Sequence, residues 1–146
     1  MPLIRKTRAV QYPLASEATF NLVDTMMAVD GTVRAFNATG ALSLFEMVPL
    51  PPNAIVIGGD VTVETASDDT GTATVSVGDS LSAARYLAAT SIKAVGRTPL
   101  VPTGFRGNGE DIRLTFANQN GNATVGRVSV RVTYVVTGRS NEVQHS

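Results

Sequence analysis

Residues 127–136 read Arg-Val-Ser-Val-Arg-Val-Thr-Tyr-Val-Val, and their alternation decides the fold class. Val128, Val130, Val132, Tyr134 and Val136 fall on one side of an extended chain. Arg127, Ser129, Arg131 and Thr133 fall on the other. A period of two belongs to a strand with one face in a core and one face wet or covered. Just upstream, Ile112, Leu114 and Phe116 alternate in the same way with Arg113 and Thr115. Asn118-Gln119-Asn120-Gly121-Asn122 joins the two runs, and residues that tolerate positive φ predict a loop or hairpin there.

Further upstream the pattern repeats. Ile55, Ile57, Val61 and Val63 are predicted to face inward, with Asp60, Thr62 and Glu64 outside. Gly58-Gly59 interrupts that run as a bend or bulge that leaves the register unchanged. Ala73, Val75 and Val77 form the returning strand after a turn at Ser67-Asp68-Asp69-Thr70-Gly71. Phe20 to Val29, Thr32 to Phe36 and Leu42 to Val48 are further strands. Pro49-Leu50-Pro51-Pro52 is a loop, because proline cannot donate to a ladder. Residues 81–96 are the one helix-friendly stretch, and a short helix and an irregular crossover both fit it. The expectation is an all-β jelly-roll or Greek-key β-sandwich of about eight antiparallel strands. An extended N-terminal arm, 1–16, precedes a sandwich domain, 17–138, and a C-terminal tail, 139–146.

Composition narrows the function. The 146 residues hold 12 Lys plus Arg against 12 Asp plus Glu, so the chain lacks the basic excess of a protein that lives on nucleic acid or an anionic membrane. Charged residues make up only 16%, which suggests a surface partly covered by other protein. There is no cysteine, and the single histidine is His145. Thiolate nucleophiles, Cys-ligated zinc and His general-base chemistry lose their residues. No apolar run reaches membrane-span length, and Met1 to Tyr12 has no apolar core of a secretory signal, so synthesis in the cytoplasm is expected. No cofactor, metal or small-molecule substrate is expected.

Several clusters need weighing. Asp60, Glu64, Asp68, Asp69 and Asp79 could suit a calcium ion, but their spacing matches no calcium loop, and a turn plus a solvated strand face explains them better. Glu110-Asp111 reads as a turn or loop entry, since neighbours in a strand point apart. Arg85, Lys93, Arg97 and Arg106 fall in a stretch without acids, and Arg113, Arg127, Arg131 and Arg139 follow. Without interleaved aromatics these do not read as a nucleic-acid surface. Arginines suit pairing with the acidic central segment, across strands or across copies of the chain. The candidate partner-binding residues are Arg5, Lys6, Arg8, Arg85, Arg97 and Arg106. Arg5, Lys6 and Arg8 sit in an arm expected to order on a partner. Asn37-Ala38-Thr39 and Asn122-Ala123-Thr124 match the glycosylation sequon by chance.

The stretch from Pro51 to Pro102 resembles the small jelly-roll cement, or decoration, proteins of tailed-bacteriophage capsids. The residues that carry the likeness are Pro51-Pro52-Asn53-Ala54-Ile55-Val56-Ile57-Gly58-Gly59, Ser76-Val77-Gly78-Asp79-Ser80 and Arg85-Tyr86-Leu87-Ala88-Ala89-Thr90. The strands at 111–117 and 127–136 continue the same order. The resemblance implies a non-enzymatic virion protein that sits as a trimer on the outer capsid surface and bridges major capsid protein subunits. A head-fibre base or tail accessory protein is the alternative within the same setting. A carbohydrate-binding β-sandwich is a third reading, weakened by how few aromatics remain for a sugar platform.

Overall fold

The computed structural model describes residues 12–39 and 43–137. The described strands, in chain order, are β1 (Leu14–Asn21), β2 (Thr25–Met27), β3 (Val33–Ala35), β4 (Leu44–Val48), β5 (Pro52–Thr65) and β6 (Ala73–Gly78). They continue with β7 (Leu87–Ser91), β8 (Gly96–Pro99), β9 (Arg106–Asn108), β10 (Ile112–Asn118) and β11 (Arg127–Val136). One sheet runs β1-β11-β5-β8, with β9 also on β5. The other runs β4-β10-β6-β7, and every pairing is antiparallel. Setting aside the β2–β3 ribbon and the short β9, the eight remaining strands fall in the orders 1-8-3-6 and 2-7-4-5. That is a jelly roll, two sheets whose successive strands cross from one to the other except at β6 and β7, which pair within one sheet.

The core lies between the sheets. Val128, Val130 and Val132 of β11 are fully buried, as their alternation requires, and face Leu114, Phe116, Val75 and Val77 in one buried cluster. Phe20, Phe36, Phe45 and Phe116 form an aromatic cluster with centroid separations of 4.3 to 6.1 Å, mostly tilted or edge-on. Tyr134 packs against the rim of this core and stays half-buried.

Four expectations change. The runs at 55–65 and 73–78 are not a hairpin, since β5 pairs with β11 and β6 pairs with β10. β10 and β11 lie in opposite sheets, so of the two readings of 118–122, loop or hairpin, the loop holds. Alternation marks a strand's buried face, and both members of a hairpin or of a cross-sandwich pair show it. Second, Gly58-Gly59 does shift the register. Thr133 pairs with Gly58 and Tyr134 with Val56, so Ile57 bulges out of the ladder. Ala54 and Val56 are therefore the inward residues, while Ile55 is half-buried and Ile57 is 42% exposed. Third, Pro52 opens β5 opposite Asn108, and the first residue of a strand is a place where a missing donor is tolerated. Fourth, the strand expected from Phe20 to Val29 breaks after Asn21 before β2, while of the two readings of 81–96 the irregular crossover holds, with β7 in it. Residue 42, the expected start of β4, lies outside the described residues.

The arm also ends earlier than its composition suggested. Leu14, Ala15 and Ser16 pair with Tyr134, Thr133 and Val132, so β1 takes the last residues of the segment 1–16 into the sheet. Pro13 stands just before β1, where it removes no ladder bond.

Gly59, two residues past the bulge and opposite Val132, holds φ 134°, and a Cβ there would stand 2.1 Å from the Arg131 carbonyl oxygen. Gly59→Ala is expected to cost about 1–3 kcal/mol from backbone strain, with the clash added. Gly31→Ala, at φ 85° with open space around it, is the control for strain alone. Thermal melting that ranks Gly31→Ala as the worse variant would contradict this account.

Candidate functional site

The two sheets present different outer faces. On the β1-β11-β5-β8 sheet, residues that alternate outward carry paired charges. Arg131 reaches Glu17 at 3.2 Å, Arg127 reaches Glu64 at 2.8 Å, and Arg97 reaches Asp60 at 2.7 Å. Ser129 links Thr19 and Glu64 by hydrogen bonds of 2.8 and 2.9 Å. The acidic central segment thus pairs with the later arginines across strands. Asp60 is not solvated as expected; it is buried, with Arg97 as its ion partner. The face of β4-β10-β6-β7 carries Thr74, Ser76, Thr115 and Ala117 in its middle and one ion pair, Arg113 to Glu46 at 2.8 Å.

Of the candidate partner-binding residues, Arg5, Lys6 and Arg8 lie outside the described residues. Arg85 is held inside the fold. Its Nε donates to Asp79 Oδ2 at 2.5 Å, and its guanidinium stacks 3.6 Å from the centre of the Phe105 ring. Asp79 is buried and also accepts the Leu81 and Ser82 amides, so this carboxylate organises the turn that opens the 79–86 connection. Arg97 and Arg106 flank β5 on β8 and β9, opposite Thr62 and Ile55. They share one outer face; Arg85 stands apart from them.

At one end of the sandwich the crossings β5–β6 and β10–β11 meet. Asp68 accepts the Thr124 hydroxyl at 2.5 Å and the Thr124 and Val125 amides at 2.7 and 3.1 Å. Asp69, 1% exposed, accepts the Gly71 and Gly121 amides at 2.7 and 2.9 Å. Thr70 and Asn122, and Thr72 and Gln119, bond across the same seam. These acids act as loop fasteners in turns, as the turn reading of the acidic stretch implied, and Asp69 and Asp79 are buried. Both sequon asparagines serve the fold: Asn37 Nδ2 donates to the Ala123 carbonyl, and Asn122 Nδ2 to Thr70.

The Thr124 hydroxyl, then the Val125 and Thr124 amides, hold the Asp68 carboxyl below its ordinary value. A carboxyl whose folded pKa is depressed stabilises the fold above the unfolded pKa and loses that contribution as pH falls through the folded one. Melting temperature is thus expected to fall as pH drops below the usual carboxylate range. Asp68→Asn should flatten part of that acid limb while leaving the neutral-pH slope unchanged. An unaltered acid limb would contradict the role given to Asp68.

At the opposite end, Glu46, Ser80, Gly109, Glu110, Asp111 and Arg113 line an open cleft of about 270 Å³. Glu110 and Asp111 lie in the loop entering β10, as their adjacency suggested, and both border this cleft. Ser80 bonds Glu110. Burial first, and the charge of Glu46 second, push the Asp111 carboxyl above its ordinary value. Glu46 is a third member that no spacing announces, because it arrives from β4, far away in the chain. Among the described residues no group of three or more His, Cys, Asp or Glu is arranged to hold a metal ion.

No family model matches the sequence, and no curated protein does. Solved chains do match the fold. A chain in the capsid asymmetric unit of cyanophage Pam1 aligns with TM-score 0.62 at 21% identity, over 90% of this chain and 94% of that one. A chain in the acid-stable capsid of Helicobacter pylori bacteriophage KHP30 gives 0.62 at 18%, over 92% and 95%. One in the capsid of Ralstonia phage GP4 gives 0.50 at 19%, over 90% and 91%. At these identities the likeness is one of fold: the protein has the same jelly-roll architecture as chains found in three phage capsids.

Proposed function

We propose that the protein is a non-enzymatic capsid cement protein, which binds the outer surface of a phage head as a homotrimer and bridges major capsid subunits. The observation that carries this reading is the two-way coverage of the structural matches. Nine tenths or more of both chains align, so each matched capsid chain is a free-standing one of similar size, not a domain of a larger subunit. A small separate chain in a shell suits an accessory that reinforces it. The low share of charge supports a surface made for protein contact. Such a protein needs no single strong site, because several modest contacts made together raise affinity through effective concentration. The aromatics a sugar platform would need are mostly committed to the core, as Phe20, Phe36, Phe45, Phe116 and Tyr86 are buried.

The test is to mix the purified protein with heads of its own phage prepared without it. Saturable co-sedimentation and heads that rupture at higher temperature are expected. Protein that stays in the supernatant, or that binds tails instead, overturns the cement reading. Light scattering should return a trimer; a stable monomer at micromolar concentration counts against the trimeric part.

A further inference from the structure

The first sixteen residues contain Arg5, Lys6 and Arg8 and no acid; the first acid in the chain is Glu17. This basic segment joins the sandwich at Leu14, opposite Tyr134 of β11, which in turn lies opposite Val56 near the start of β5. Only residues 49–51 separate the start of β5 from the end of β4 at Val48, beside Ile112. The segment therefore enters at the end of the sandwich where the cleft of Glu46, Glu110 and Asp111 opens.

That cleft is short of positive charge. Among the described residues that line it, the one cation, Arg113, is engaged by Glu46 at 2.8 Å. Among the described residues Glu110 has the Ser80 hydroxyl as its partner, and Asp111, partly buried, has its carboxyl raised by burial and by Glu46 against the lowering effects of Arg113 and the Leu50 amide. A carboxyl penalised by burial and by a like charge gains most from a cation brought to it.

Resting on the reading of the protein as a self-associating shell component, we propose that this cleft receives the basic N-terminal segment of a neighbouring copy, with Arg5, Lys6 and Arg8 lying against Glu110 and Asp111. A neighbour's segment is favoured over the chain's own by the sequence around the junction. Residues 1–16 contain no Gly, Asn or Asp with which to reverse direction. Pro13 fixes its own φ and biases Tyr12 toward extended backbone, and neither residue is part of a turn, so the described junction itself does not reverse the chain. Eleven residues can reach at most about 40 Å, enough to cross to an adjacent subunit.

The absence of cysteine makes the test clean. The full chain carrying Arg8→Cys and Asp111→Cys, oxidised at the concentration where it self-associates, is expected to give covalent dimers and trimers on a non-reducing gel. The pair Arg8→Cys and Thr62→Cys, with the second thiol on the charged outer face, should stay monomeric. A linked species that runs only as a monomer would show the segment folding onto its own subunit and overturn the proposal, as would no link at all. In sedimentation velocity, Arg8→Glu should weaken self-association about tenfold, and adding Asp111→Lys should recover most of that loss. Failure to recover overturns the pairing. If the Asp111 variants melt early, Glu110→Cys and Glu110→Lys serve in their place. Head binding is scored separately. Cross-linking without it leaves the cleft assignment standing and removes the cement role, and head binding without cross-linking does the reverse.

Discussion

Val130→Asp is expected to remove most of the domain's stability. Val130 is 0% exposed and sits in the central strand of its sheet, between Ala18 of β1 and Val61 of β5. An aspartate there either buries an unpaired charge or is held protonated, and both routes cost several kcal/mol. A domain of this size has about 5–15 kcal/mol in total. Val75→Asp, equally buried in the facing sheet, should behave alike. Ala117→Asp places the same group on the exposed outer side of β10 and should change stability by about 0.5 kcal/mol or less. Thermal and urea melts compare the three. If Val130→Asp melts within a few degrees of the parent, the inward face assigned to β11 is wrong.

That face could be assigned from the sequence because Val128, Val130 and Val132 alternate without interruption. Which strand lies beside which could not. The loops at 67–71 and 118–122 look like hairpin turns, yet each carries the chain from one sheet to the other. Turn residues record that the backbone reverses; they do not record whether it returns alongside or across the core. At Ile55 and Ile57 the apolar pattern misled for a local reason: the bulge opposite Thr133 and Tyr134 moves the inward phase to Ala54 and Val56. The stretch 81–96 has helix-forming Ala and Leu, but the Asp79–Arg85 pair and the Arg85–Phe105 stack fix an irregular path. The end cleft was half legible. Glu110 and Asp111 adjoin in sequence, whereas Glu46 reaches them only through the β4–β10 ladder, where it sits opposite Arg113. A constellation assembled by pairing in a sheet has no spacing signature.

Asp69→Ala is expected to be the most damaging change outside the apolar core. The carboxylate is 1% exposed, and each oxygen accepts one amide from a different crossing: Oδ1 from Gly71, and Oδ2 from Gly121. Gly121 holds φ 64° and packs so closely that a Cβ would lie 2.6 Å from Thr39 Cγ2, so the chain is committed to the position that offers this amide. Alanine removes two charge-assisted hydrogen bonds and leaves two donors short of an acceptor, about 3–5 kcal/mol together. Asparagine should rescue little, because its NH₂ group would face one of the two amide donors. Asp68→Ala, next in sequence but exposed, should be distinctly milder. The readouts are the melting temperature and amide exchange at Gly71 and Gly121, which should speed up together because one carboxylate holds both. Two amides that stayed protected in Asp69→Ala would mean that the Thr70–Asn122 and Thr72–Gln119 bonds hold the crossings without it. The buried acid would then be a passenger in the seam and not its fastener.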